Sequence, residues 1–245
     1  MTKQIPNFLT ALNLLCGTFA IFFAIHGRIE LAAYFIFAGA IFDFSDGFAA
    51  RALNAYSEIG KQLDSLADLI SFGLAPAAIY STMLFRMKYS DVSPSFFEMS
   101  WVNQSIVLFP FVLAVFAAFR LAKFNLDTRQ TENFLGLTTT ATGIFTASFA
   151  LLLLKGTPWL MMILSPSLII MMIAVFCVLL VSEVPMFSLK FKNFSWSENQ
   201  NRFLLVIAGI FLIIWQGLGG ISLLILLYIL YSVISLFVCR KTINE

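Results

Sequence analysis

The chain has 245 residues, of which 60% are hydrophobic and 11% charged, and its net charge is +2. Soluble domains carry about 25% charged residues, so this composition and a mean hydropathy of +0.92 exclude a soluble globular protein. They point to an all-α integral membrane protein: no alternating ten-residue pattern suggests a β-barrel, and so small a net charge gives no basis for nucleic-acid binding.

A spanning helix needs roughly 20 apolar residues, and in chain order the candidates fall at 8–26, 30–52, 62–86, 102–124, 137–155, 158–182, 202–216 and 219–239. The first resembles a secretory leader in length, but Asn13, Thr18 and the lack of a small-x-small cleavage site predict a retained helix. His26 lies in the turn Ile25-His-Gly-Arg28, where a loop or interfacial residue is expected. Cys16, Cys177 and Cys239 sit within apolar runs, with neither disulfide nor metal spacing. The seventh span is short and runs into Gly217-Leu-Gly-Gly220, so a single long broken helix there would give seven spans rather than eight. No repeat or linker divides the chain, which predicts one membrane domain over 1–245.

Lysine and arginine give the orientation. With eight spans, one side collects Lys3, Arg51, Lys61, Arg120, Lys123, Arg129, Lys190, Lys192, Arg202, Arg240 and Lys241. Only Arg28, Arg86, Lys88 and Lys155 of the 15 cations remain on the other. Both termini are therefore expected in the cytoplasm, with the loop 87–101 and its Phe96, Phe97 and Trp101 on the outside.

The polar residues that break this pattern gather at the cytoplasmic end of the second and third spans. Asp43, Asp46, Gly47, Ala50 and Arg51 are followed, eight residues later, by Gly60, Asp64 and Asp68. Steps of three and four put each set on one helical face, so two antiparallel helices can point four carboxylates into one cleft. Carboxylates near lipid are costly and repel one another, so a cation is expected between them. Oxygen-only ligands favour Mg²⁺ or Mn²⁺. Gly47 and Gly60 leave room beside the backbone, and Arg51 offers a planar fork to phosphate; together these parts suit a diphosphate. Singly, each residue also reads as a solvated loop acid or a positive-inside anchor. A cation transporter would explain the aspartates but not the glycines and arginine at their spacing, and it would tend to show symmetric halves.

The pattern Asp-x-x-Asp-Gly-x-x-Ala-Arg, eight residues, Gly-x-x-x-Asp-x-x-x-Asp resembles the signature of the CDP-alcohol phosphatidyltransferase family at every position from Asp43 to Asp68. The resemblance implies a six-helix core, here about 5–185, with about two further transmembrane helices at 200–240. It also implies transfer of a phosphatidyl group from a CDP-linked lipid to an alcohol, with release of CMP. Three further stretches are similar to the bacterial membrane-embedded branch that uses serine as acceptor. They are Pro6-Asn7-x-x-Thr10 with Asn13; Asp64-Ser-Leu-Ala-Asp68-Leu-Ile-Ser71-Phe-Gly73-Leu-Ala75-Pro76; and Phe119-Arg120-Leu-Ala-Lys123-Phe-Asn125 with Phe134-Leu-Gly136-Leu. Lys123 stands where that branch commonly has arginine, and threonines fill 138–140 in place of a Pro-Ser pair.

What the resemblance implies is carried over by position. Asp43, Asp46, Asp64 and Asp68 would hold the metal, as two ions, and Asp68 would also take the acceptor's proton. Asn7, Gly47, Arg51, Ser57 and Gly60 would contact the CDP-lipid, although Ser57 reads equally well as a helix cap. Arg120 and Lys123 are the candidates for the acceptor's carboxylate; their other reading is snorkelling to anionic headgroups. Glycerol 3-phosphate or inositol phosphate as acceptor would draw on Arg120, Lys123 and Arg129 instead. The family also implies a homodimer in a bacterial inner membrane.

Overall fold

In the computed structural model, residues 4–89, 94–126, 136–186 and 196–243 are described, without side chains at 196–198 and 236–243. Lys3, Arg129, Phe134, Lys190 and Lys192, and the side chains of Cys239, Arg240 and Lys241, lie outside these. The described residues form an all-helical bundle. Its elements are α1 (Ile5–Ile25), α2 (Ile29–Ala52), α3 (Glu58–Asp68), a π-helical segment (Leu69–Leu74), α4 (Ala75–Lys88), α5 (Trp101–Leu108), α6 (Val112–Leu126), α7 (Thr139–Leu154), α8 (Pro158–Ile163), α9 (Pro166–Val181), α10 (Trp196–Gln216) and α11 (Gly220–Ile243).

The helices are sorted as a membrane requires. On α1 the inward stripe is small or polar, namely Thr10, Asn13, Gly17, Ala20 and Ala24, while Phe8, Phe19 and Phe22 are exposed. Lipid tails are as apolar as leucine, so close helix approach comes from small residues inside, not from large apolar ones. α2 follows the same rule: Ala32, Ala33, Ile36 and Gly39 are buried, and Phe44 and Phe48 are 72% and 61% exposed.

Among the described residues, five stretches are long and apolar enough to cross a membrane: Ile5–Ile25, Ile29–Ala52, Glu58–Lys88, Trp101–Leu126 and Asn199–Ser235. α7 and α9 are shorter apolar helices of 16 residues each. The stretch Asn199–Ser235 is not one rod. Gln216 leaves helical geometry and Gly217 has φ +64°, and the chain doubles back. A Cβ on Gly209 would lie 2.8 Å from Leu224 Cδ2, and Asn201 Nδ2 donates to Tyr231 Oη at 2.5 Å. The hairpin docks on α7, where Ser148 Oγ donates to the Leu218 carbonyl at 2.6 Å and accepts from Ser222 N at 2.7 Å. Among the described residues this segment is therefore two helices packed against each other, not the single long broken helix that the sequence also allowed.

Two devices set the geometry around the aspartates. The π-helical segment follows Asp68 directly, and π turns of this kind are frequent at functional sites. It is clamped by Gly17 of α1, Gly143 of α7 and, against its own Gly73, Ala117 of α6. A Cβ on Gly17 would meet Ser71 Cα at 2.7 Å, one on Gly143 would meet Phe72 Cα at 3.0 Å, and one on Gly73 would meet Ala117 Cβ at 2.9 Å. The second device is Gly136, whose φ of +74° lets its N–H reach the Val184 carbonyl at 2.8 Å while Leu137 N bonds Leu179 O at 3.0 Å. That turn brings the N-terminus of α7, capped by Thr138 Oγ1 on Ala141 N, to the acidic end of the bundle.

Candidate active site

α2 and α3 carry the four aspartates to one end of the bundle, beside the N-terminal half of α1. The short link between them turns at Asn54, with φ 48°, and closes with Ala55 N on Ala50 O at 2.9 Å. Ser57 then starts α3 by accepting from Gly60 N at 3.0 Å. Asp43, Asp64 and Asp68 converge, with one oxygen of each within 4.8 Å of the others. Around Mg²⁺ at about 2.1 Å, ligand oxygens lie roughly 3 to 4.2 Å apart, so small side-chain rotations suffice. This group can hold a metal ion, and its all-oxygen chemistry fits a hard divalent cation.

Asp46 stands next to this trio as an electrostatic neighbour of both Asp43 and Asp64, and it is 6% exposed. Neutral donors reach three of the four acids from outside their own helices. Thr10 Oγ1 donates to Asp46 Oδ2 at 2.6 Å, Asn13 Nδ2 donates to Asp68 Oδ1 at 3.3 Å, and the Thr140 hydroxyl lies near Asp43.

Beside the acids opens a cavity of about 510 Å³, lined among others by Asn7, Asp46, Gly47, Ser57, Gly60 and Asp64. Gly47 leaves real space there: a Cβ would make only ordinary contact with Arg51 Nη1 at 3.5 Å, and Arg51 itself is exposed. The room at Gly60 is taken by protein instead. A Cβ would meet Asn7 Oδ1 at 2.8 Å and Ser57 Oγ at 2.9 Å. Ser57 is thus both helix cap and cavity wall.

The two acceptor candidates part company. Arg120 is 7% exposed, interacts electrostatically with Asp68, and stacks over the Phe124 ring at 5.1 Å. Lys123 is at the surface, in an ion pair with Glu183 at 3.1 Å. The neighbouring motif residue Asn125 fastens α6 to α3: its amide donates to Ser65 Oγ at 2.8 Å and its carbonyl accepts from Lys61 Nζ at 3.3 Å. Ser71, in the stretch read as favouring serine, is wholly buried and donates to the Asn13 carbonyl at 2.9 Å. Its visible role is packing. Thr10, Asn13 and Thr140 were not among the sequence-derived site residues, although Thr10 and Asn13 lie in a stretch similar to the serine-using branch and Thr140 in the threonines that depart from it.

The profile of the CDP-alcohol phosphatidyltransferase family matches residues 3–180. The chain belongs to this family. A CDP-diacylglycerol–serine O-phosphatidyltransferase from Helicobacter pylori (strain 26695) is 29% identical over 246 residues, covering 97% of this chain and 93% of the relative. The Bacillus subtilis (strain 168) protein of that name is 35% identical over 136 residues, 55% of this chain and 68% of the relative. A Saccharomyces cerevisiae one is 37% identical over 134 residues, 52% and 43% respectively.

Proposed function

We propose that this protein is a phosphatidylserine synthase, transferring the phosphatidyl group of CDP-diacylglycerol to the hydroxyl of L-serine and releasing CMP. The observation that carries this reading is the convergence of Asp43, Asp64 and Asp68 oxygens within 4.8 Å, beside a cavity large enough for a nucleotide headgroup, in a chain whose near-full-length relative bears that activity's name.

The chemistry follows from the side chains. Asp43, Asp46, Asp64 and Asp68 would hold Mg²⁺ or Mn²⁺, as two ions. When bound, these neutralise the donor's pyrophosphate and the departing CMP. Gly47 admits the pyrophosphate close to α2, Arg51 closes on a phosphate oxygen, and Asn7, Ser57 and Gly60 form the wall against the nucleotide. Arg120 binds the serine carboxylate and holds the hydroxyl against the lipid-side phosphorus. As the serine Oγ–P bond forms and the P–O bond to CMP breaks, the hydroxyl proton passes to Asp68. Aspartate is a weak base, so orientation supplies most of the acceleration. Lys123, tied to Glu183, contributes charge at the rim.

The enzyme would work in a bacterial inner membrane as a homodimer, with the acids and both termini on the cytoplasmic side. The cation split supports that side: Lys61 and Asn125 meet at the acidic end, while Arg86 packs against Gly27 at the other. The deciding experiment offers purified protein CDP-diacylglycerol with serine, glycerol 3-phosphate or inositol phosphate, and reads CMP release, with Asp68→Asn as control. Metal-dependent release with serine alone is expected. Release with glycerol 3-phosphate and none with serine would refute the acceptor assignment.

A further inference from the structure

Thr10 and Asn13 lie three residues apart on the buried stripe of α1, and each ends on a different motif aspartate. Thr10 is 3% exposed and Asn13 0%, so neither contact competes with water. The Thr10 hydroxyl also lies 3.0 Å from the Pro6 carbonyl. Its single proton belongs on Asp46 Oδ2, because that contact is shorter at 2.6 Å and charge-assisted. Asn13 is fixed through its backbone as well as its side chain, whose buried Oδ1 has no hydrogen-bond partner among the described residues. Its carbonyl accepts from Ser71 Oγ, its amide donates to Asp68 Oδ1, and Gly39 leaves its Oδ1 just enough room, a Cβ there lying 3.0 Å away. A carboxylate has two oxygens. Engaging Oδ2 of Asp46 and Oδ1 of Asp68 from α1 fixes both rotamers and leaves one oxygen of each facing elsewhere. Asp64 has no such donor among the described residues.

We propose that Thr10 and Asn13 are positioning residues that orient Asp46 and Asp68 for cation binding, so that α1 is part of the metal site without supplying a ligand. This rests on the metal-binding reading above. Outer partners of metal ligands generally govern affinity or activity by 10- to 100-fold, and the two contacts here are of that kind.

The test reads Mn²⁺ binding directly, by electron paramagnetic resonance of detergent-purified full-length protein without substrate. The variants are Thr10→Val, Thr10→Ser, Asn13→Leu and Gly39→Ala. Thr10→Val and Asn13→Leu are expected to raise the Mn²⁺ dissociation constant by about 10- to 100-fold. Thr10→Ser, which keeps the hydroxyl, should stay within about threefold of wild type, and Gly39→Ala should weaken binding by crowding Asn13. Unchanged Mn²⁺ affinity in Thr10→Val, with the thermal midpoint lowered in metal-free buffer, would overturn the proposal in favour of a packing role. If Asn13→Leu does not fold, the Thr10→Val and Thr10→Ser pair decides. Absence of saturable Mn²⁺ binding in wild type, or binding that survives Asp64→Ala, would instead refute the metal reading itself.

Discussion

One helical turn separates Asp68 from Ser71, yet the two face opposite physical problems. From Ser71 to Gly73 every residue is buried and clamped by glycines of α1 and α7 or by an alanine of α6, leaving no room for another atom. Just before it, Asp64 lines the open cavity without a side-chain donor among the described residues, and Asp68 is buried and held by the single contact from Asn13. The difference shows how this bundle makes a reactive cleft in a fluid bilayer: a hub packed tightly at glycine contacts carries acids that are steered rather than packed.

Breaking the acidic side should have the largest effect. Asp64→Ala is expected to cut CMP release by about 1000-fold, since the lost cation interaction is worth several kcal/mol, with the thermal midpoint near wild type. A variant that retains a tenth of the activity would place Asp64 outside the chemistry. Next comes the boundary between the two regions. Arg120→Ala should raise the apparent serine KM by roughly 10- to 100-fold, the worth of a charged hydrogen bond, and that for CDP-diacylglycerol far less. Equal shifts would indicate a structural role. On the hub side, Gly17→Ala should cost about 1–3 kcal/mol of stability by overpacking, read as a lower thermal midpoint, while Mn²⁺ affinity stays close to wild type in whatever fraction is folded. The smallest effect belongs to Lys123→Ala. An exposed ion pair is worth about 0–1 kcal/mol, so the midpoint should barely move, and serine KM should change much less than in Arg120→Ala.

How much of this was legible beforehand divides along the same line. Steps of three and four between Asp43, Asp46, Asp64 and Asp68 are a property of one helix at a time, so the shared acidic face could be read from the chain. So could the long apolar helices, apart from the turn at Gly217, because a glycine cluster kinks a helix as readily as it reverses one. Contacts between helices were not legible. Thr10 and Asn13 stand in a branch-like stretch and Thr140 among the threonines that depart from it, but nothing ties them to the acids until α1 and α7 are laid against α2 and α3. Ser71 and Phe72 belong to a stretch similar to the serine-using branch, and a linear motif does not say which of its residues meet a neighbouring helix. Gly60 was explained by room for a ligand, and the space turns out to hold Asn7. Arg120 and Lys123 seemed equivalent, but their three-residue offset leaves one by Asp68 and the other out with Glu183.

Phe44 and Phe48 alternate with the acids along α2 and are largely uncovered, so hydrocarbon and carboxylate are separated by the thickness of one helix. A two-tailed donor could then remain dissolved in its own leaflet throughout turnover, dipping only its headgroup across that divide, and the phospholipid made would be released already inserted.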